Sequence, residues 1–217
     1  MNVEQARFNM IEQQIRPWDV LDTGVLSLLA VVKREDFVPA AYKAIAFMDT
    51  EVPLPCGQCM LEPKVEARLL QELAVHKHER VLEVGAGSGY MAALLAHKGQ
   101  HVTTLEIEPE LAKLAGDNLR RAGISNVTVR EADGAKGLAA DAPFDVILLS
   151  GSVAEVPAGL LAQLKVGGRL AAIVGEQPIM RATMVTRTSE QGYASAVLFD
   201  TVAPRLRGFD EPSRFTF

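Results

Sequence analysis

The sequence predicts an α/β protein of the doubly wound, mostly parallel class, and three observations carry that expectation. Residues 81–90 read VLEVGAGSGY, an apolar run broken by one acid and followed by glycines at 85, 87 and 89. That is the pattern of a first strand, a tight turn free of side chains and the start of a helix. From Arg80 to Val174 short apolar runs alternate with helical periodicity, as parallel strands with crossover helices require. Beyond that, two β-rich stretches, Met180–Thr188 and Ala194–Val202, flank Ser-Glu-Gln-Gly at 189–192. They predict an antiparallel hairpin added to the parallel sheet.

Each element follows from local signals. Asn2–Ile15 is polar with Phe8, Ile11 and Ile15 at helical spacing, and Arg16-Pro17 ends it. Asp22 or Thr23 caps a second helix over Val25–Val32. The stretch 46–63 holds three prolines and reads as a long loop, of the kind that often carries function. Lys64–Ala74 returns to helical periodicity and leads into the first strand, Val81–Val84. Tyr90–Lys98 is the next helix, His101–Ile107 the second strand, and Pro109–Ala122 a helix with proline in its first turn and Gly123 as its stop. Val127–Arg130, Val146–Leu149 and Arg169–Val174 complete the parallel strands, with a short helix at Ala158–Leu164 between the last two. One domain over 1–217 is expected: a helical extension and loop (1–75), a core (76–175) and a hairpin with tail (176–217).

Composition narrows the function classes. Hydrophobic residues make up 48% and charged residues 23%, and the formal net charge is −5. An acidic balance argues against non-specific nucleic-acid binding. No run reaches membrane-spanning length, and the N-terminal MNVEQARFNM lacks a basic-then-apolar leader, so a cytoplasmic location is expected. The two cysteines, Cys56 and Cys59, sit in the Pro- and Gly-rich PLPCGQC without a second ligand pair, so no metal site is expected. The four histidines read as solvated, and neither a Ser-His-Asp order nor HExxH is visible.

The glycine spacing is G-x-G-x-G and not the G-x-G-x-x-G of dinucleotide sites. It points to S-adenosylmethionine (SAM), a nucleoside cofactor with no phosphate. Glu106 closes the second strand about twenty residues past the turn, where an acid accepts from both ribose hydroxyls. Asp133, ending the third strand, is placed to accept from the adenine amino group, and Glu83 to hold the methionine ammonium or order water near it. Arg205, Arg207 and Arg214 in the tail are candidates for an anionic substrate group.

The chain resembles the protein-L-isoaspartate O-methyltransferase family along most of its length. The resemblance rests on Arg34-Glu-Asp-Phe-Val-Pro39, Asp49-Thr-Glu-Val-Pro-Leu-Pro55 with Gly57-Gln58 and Pro63, Val81–Tyr90, Asp133-Gly134, Ala142-Pro-Phe-Asp145, Gly167-Gly-Arg-Leu170 and Val174-Gly175. It implies a seven-stranded SAM-dependent methyltransferase fold, with helices on both faces, acting on the α-carboxylate of isoaspartyl residues in damaged proteins. The ester would then collapse to a succinimide, giving repair. The cofactor set so implied is Glu83, Gly85, Ala86, Gly87, Ser88, Gly89, Glu106, Ile107, Asp133, Gly134 and Ser150. The acceptor set is Gln58, Cys59, Met60 and Leu61.

One departure stands out. The family usually reads G-Q-T-I-S-Q-P in the loop, with its Ser at the transfer site, whereas this chain reads Gly57-Gln-Cys-Met-Leu-Glu-Pro63. The catalytic positions thus become Cys59 and Leu61, and Leu61 makes no side-chain hydrogen bond. Apolar Leu61 beside acidic Glu62 should disfavour an anionic acceptor. Two further readings therefore stand beside isoaspartyl methylation: the same fold acting on another acceptor, and a non-catalytic SAM-binding protein.

Overall fold

The computed structural model describes residues 2–210. Its centre is a seven-stranded sheet in the order β5-β4-β3-β6-β7-β8-β9. The strands are β3 (Arg80–Val84), β4 (His101–Glu106), β5 (Val127–Glu131), β6 (Phe144–Val153), β7 (Leu164–Glu176), β8 (Ile179–Arg187) and β9 (Tyr193–Asp200). The first five are parallel, and the last two run antiparallel against β7, which is the expected hairpin. Alternating side chains feed both faces: Val146 and Leu148 enter one apolar cluster, Ile147 and Leu149 the other. That is why β6 reads as a continuous hydrophobic run.

The helices are α1 (Val3–Met10), α2 (Thr23–Val31), α3 (Pro63–Leu73), α4 (Tyr90–Lys98), α5 (Pro109–Arg121) and α6 (Ala158–Leu161). Asp22 is the cap of α2, accepting from the Val25 N–H at 2.8 Å. The expected first helix is in fact segmented: a π-helical stretch, Ile11–Ile15, and a 3-10 turn, Arg16–Trp18, follow α1. In α4, every residue from Tyr90 to Ala96 is buried. A helix apolar on all sides needs cover on all sides, and the N-terminal extension supplies it: Met10, Ile15, Val25 and Leu29 share one cluster with Leu94 and Leu95.

Two expectations change. The stretch 46–63 is not free of structure: β1 (Val52–Pro53) and β2 (Cys59–Met60) form a two-residue antiparallel ladder around a 3-10 turn at Pro55–Gly57. Its Val52, Leu54, Met60 and Leu61 are all buried, which anchors a Pro-rich segment to the core. Strand β6 also runs further than its apolar signal. Ser152 continues it by donating its N–H to Pro204 O at 2.8 Å and accepting from the Leu206 N–H at 2.9 Å. The tail is thereby laid across the carboxyl end of the sheet.

Candidate active site

The strand order reverses at β3, which pairs β4 on one side and β6 on the other. Such a switch point leaves a crevice beyond the strand ends, and here it divides into two communicating compartments. The first is lined by Gln58, Cys59, Gly85, Gly87, Glu106, Ile107, Glu108, Gly134, Ser150, Leu206 and Arg207 among others. The second is lined by Cys59, Met60, Leu61, Glu66, Gly85, Ala86, Gly87, Ser88, Tyr90 and Ser150 among others. Cys59, Gly85, Gly87 and Ser150 belong to both and mark the passage between them.

Parallel register puts Val84 beside Leu105, so Glu106 falls next to the glycine turn. Its carboxylate accepts from the Gly87 N–H at 2.9 Å on one oxygen and from the Glu108 N–H at 3.1 Å on the other. A carboxylate has about four acceptor sites, so two remain for a pair of hydroxyls. Gly85 has φ +93°, a conformation strained for any side chain, and a Cβ there would also meet Leu206 Cδ2 of the tail at 2.8 Å. Gly89, with φ +83°, faces away: a Cβ would press on Ala115 of α5. Its role is helix packing, and it does not line the crevice.

Two of the expected acids also differ in place. Glu83 is wholly buried and is not a lining residue. Its oxygens accept from Thr104 Oγ1 at 2.7 Å and Ser150 Oγ at 2.8 Å. Burial pushes its carboxyl up to about 7, and the two hydroxyls hold it back only partly. Glu83 therefore orients Ser150, which does line the crevice. Asp133 caps the 3-10 turn that follows it, accepting from the Ala135 N–H at 3.0 Å. It faces a separate groove with Ala135, Lys136 and Phe209, while its neighbour Gly134 lines the main crevice.

The acceptor side is held by long-range contacts. Arg34, wholly buried, pairs with Glu66 and donates from Nη2 to the Leu61 carbonyl at 2.8 Å. Its guanidinium lies 5.1 Å from the centroid of the Tyr90 ring. Arg207 pairs with Glu108 and donates to the Cys56 carbonyl at 2.6 Å. With the Gln58 amide oxygen turned toward it, Arg207 also donates from Nε at 3.0 Å. Strand end, loop and tail are thus joined at one guanidinium. Glu62 is not among the lining residues and pairs with Lys64 at 3.2 Å, so the acid that lines the second compartment is Glu66. Cys59 is half-buried, and burial with nearby Glu51 pushes its thiol up to about 12, which leaves it no thiolate character at neutral pH. Both cysteines are free thiols. Among the described residues no cluster of His, Cys, Asp or Glu could hold a metal, and none of the histidines lines the crevice. Arg214 lies outside the described residues.

Twelve expected positions therefore meet at the crevice: Gln58, Cys59, Met60, Leu61, Gly85, Ala86, Gly87, Ser88, Glu106, Ile107, Gly134 and Ser150. Glu66, Tyr90, Glu108 and Leu206 were not expected there. For Glu66 the periodicity of α3 marks only a position flanking the apolar stripe, and its burial comes from Arg34. The lining suits a nucleoside without phosphates. Arg207 is its one cation among the described residues, and it is already paired with Glu108.

A reversed strand order, a glycine turn and an acid at the adjoining strand end define a Rossmann-like nucleoside-cofactor methyltransferase. Residues 5–205 match the model of the protein-L-isoaspartate(D-aspartate) O-methyltransferase (PCMT) family, and the chain belongs to it. Among its relatives, the protein-L-isoaspartate O-methyltransferase of Koribacter versatilis (strain Ellin345) is 41% identical over 181 residues, 83% of this chain and 81% of that one. The Gloeobacter violaceus protein of the same name is 40% identical, covering 82% of this chain and 88% of its own. A solved structure of a PCMT from Plasmodium falciparum in complex with S-adenosyl-L-homocysteine shares the fold. Its TM-score is 0.79 at 21% identity, over 95% of this chain and 99% of that one.

Proposed function

We propose that this chain transfers a methyl group from SAM to the free α-carboxylate of isoaspartyl residues, producing an ester that closes to a succinimide and so allows repair. The observation that carries the reading is the facing of the loop Gln58–Leu61 onto the glycine turn across one crevice. Glu106 would take the ribose hydroxyls, Ile107 and Gly134 the adenine side, and Gly85–Ser88 with Ser150 the part beyond the ribose. When bound, SAM would supply an electrophilic methyl on its sulfonium sulfur for an acceptor oxygen to take, leaving the neutral thioether. The acceptor is already ionised at neutral pH, so no general base is needed. The chain's own contribution is placement and exclusion of water by Met60, Leu61 and the tail residue Leu206.

A second reading has a specific observation in its favour. Leu61 lines the crevice and offers an acceptor carboxylate no hydroxyl. A neutral acceptor would meet less resistance there than an anionic one. No helix among the described residues is long and apolar enough to cross a membrane, which supports a cytoplasmic setting. The acidic net charge of −5 supports a protein or peptide acceptor over nucleic acid. One apolar cluster containing both Met10 and Ala203 supports a single folding unit.

The test is methyl transfer from labelled SAM to an isoaspartyl peptide, with the matching aspartyl peptide as control and SAM binding followed by calorimetry. Transfer to the isoaspartyl peptide alone is expected. SAM binding with no transfer to it would favour the second reading, and no SAM binding would sink both.

A further inference from the structure

A cofactor of this class carries an amino-acid end whose ammonium needs an acceptor. Glu83, the acid that the sequence offers for it, is sealed behind Ser150 with a hydroxyl on each oxygen. We propose that Glu66 is the group that receives the cofactor's ammonium, in the compartment beyond the glycine turn. This rests on the SAM reading above and deepens it.

Four observations lead there. Among the described residues Glu66 is the only acid lining the second compartment, whereas Glu106 and Glu108 line the first. A ligand whose ribose meets Glu106 and whose sulfur lies in the shared passage therefore directs its amino-acid end toward Glu66. The Glu66 carboxylate is half engaged: Oε2 pairs with Arg34, while Oε1 has no hydrogen-bond partner among the described residues. Gly85–Ser88 line the same compartment, and their backbone and small side chains leave room for a ligand. Finally, acids outnumber cations here. Glu66, Glu83 and Glu106 lie close enough that Glu66 and Glu106 both push the Glu83 carboxyl upward, and among the described residues Arg34 is the one fully buried cation beside them. A bound ammonium with its neighbouring sulfonium would favour the ionised carboxylates.

The alternative is that Glu66 serves only as counter-ion to Arg34. Calorimetry with three ligands separates the two. SAM and S-adenosylhomocysteine carry the amino-acid end, and 5′-methylthioadenosine has the same nucleoside and sulfur without it. Glu66→Gln is expected to weaken both full-length ligands about 10- to 100-fold, as for loss of a charge-assisted hydrogen bond, and to leave methylthioadenosine affinity unchanged. Because Gln leaves Arg34 without its counter-ion, the paired variant Arg34→Met with Glu66→Gln is measured as well and should show the same selective loss. Equal loss for all three ligands in the folded variants, or loss for none, would overturn the proposal while leaving the SAM reading intact. A wild-type chain that binds none of the three would overturn both.

Discussion

The two walls of the crevice are built by different means. On the cofactor wall, Gly85, Gly87 and Glu106 stand where they do because β3 and β4 pair in register, and the backbone makes the site. The Gly85 N–H donates to Leu105 O at 2.8 Å and the Gly87 N–H to Glu106 at 2.9 Å. On the acceptor wall, Cys59–Leu61 stands where it does because buried side chains reach it from far along the chain. Arg34 comes from 27 residues away to the Leu61 carbonyl, and Arg207 from 151 residues away to the Cys56 carbonyl. A wall set by strand register tolerates side-chain change as long as its glycines and its acid survive. A wall set by ion pairs can be rebuilt residue by residue. The departure from the family's loop at Leu61 falls on the second kind of wall.

The largest effect that would sharpen this contrast is on stability. Arg34→Ala strands a buried carboxylate, and breaking a buried pair costs about 3–5 kcal/mol. Urea unfolding should show that loss, and a loss under 1 kcal/mol would mean that the acceptor wall does not depend on the pair. Next comes the cofactor wall. Glu106→Ala removes the carboxylate proposed for the ribose hydroxyls, at about 1.5–3 kcal/mol for each bond lost, so calorimetric SAM affinity should fall at least tenfold. Unchanged affinity would break the assignment of that wall.

Leu61→Ser tests the other side. A restored hydroxyl should raise isoaspartyl kcat/KM by about 5- to 10-fold, one ordinary hydrogen bond, with SAM affinity unchanged. No change in either would place the acceptor outside the isoaspartyl class.

The smallest effect is in the pH dependence of the ligand-free chain. Folded Glu66 and Glu83 keep their protons up to about 7, against an ordinary 4.5. Between those values the folded state binds more protons than the unfolded one, so stability falls as pH rises. Glu79 and Asp145 act in the opposite sense. Burial alone would raise them, but Arg169 with the His76 N–H, and the Arg80 N–H with Lys165, hold them below the ordinary range. Their contribution is present above the unfolded values and lost in acid. The urea midpoint should therefore decline from pH 5 to pH 7.5, and Glu83→Gln should flatten part of that decline. A wild-type midpoint that rises across the window would contradict the burial of these two acids.

The parallel strands, the crossover helices, the hairpin and most of the cofactor wall are written in local sequence. Glycine turns, apolar runs and a strand-end acid each act within a few residues of themselves, and register carries the result into space. Glu106 was legible for that reason. Glu83, Gly89 and Asp133 were legible as positions but not as roles, because alternation along a strand and the path of a turn decide which neighbours a side chain meets. The Arg34–Glu66 pair and the Arg207 bridge were not legible at all. Their partners lie 32 and 99 residues apart for the two ion pairs, and no periodicity links such positions. Only the closing of the N-terminal extension over α4, and of the tail over the strand ends, brought them together. Sequence by itself thus determined the sheet and the turn at which a nucleoside could rest. Tertiary structure alone decided which charges face the space beyond it, because burial of a charge depends on partners that only the folded chain supplies.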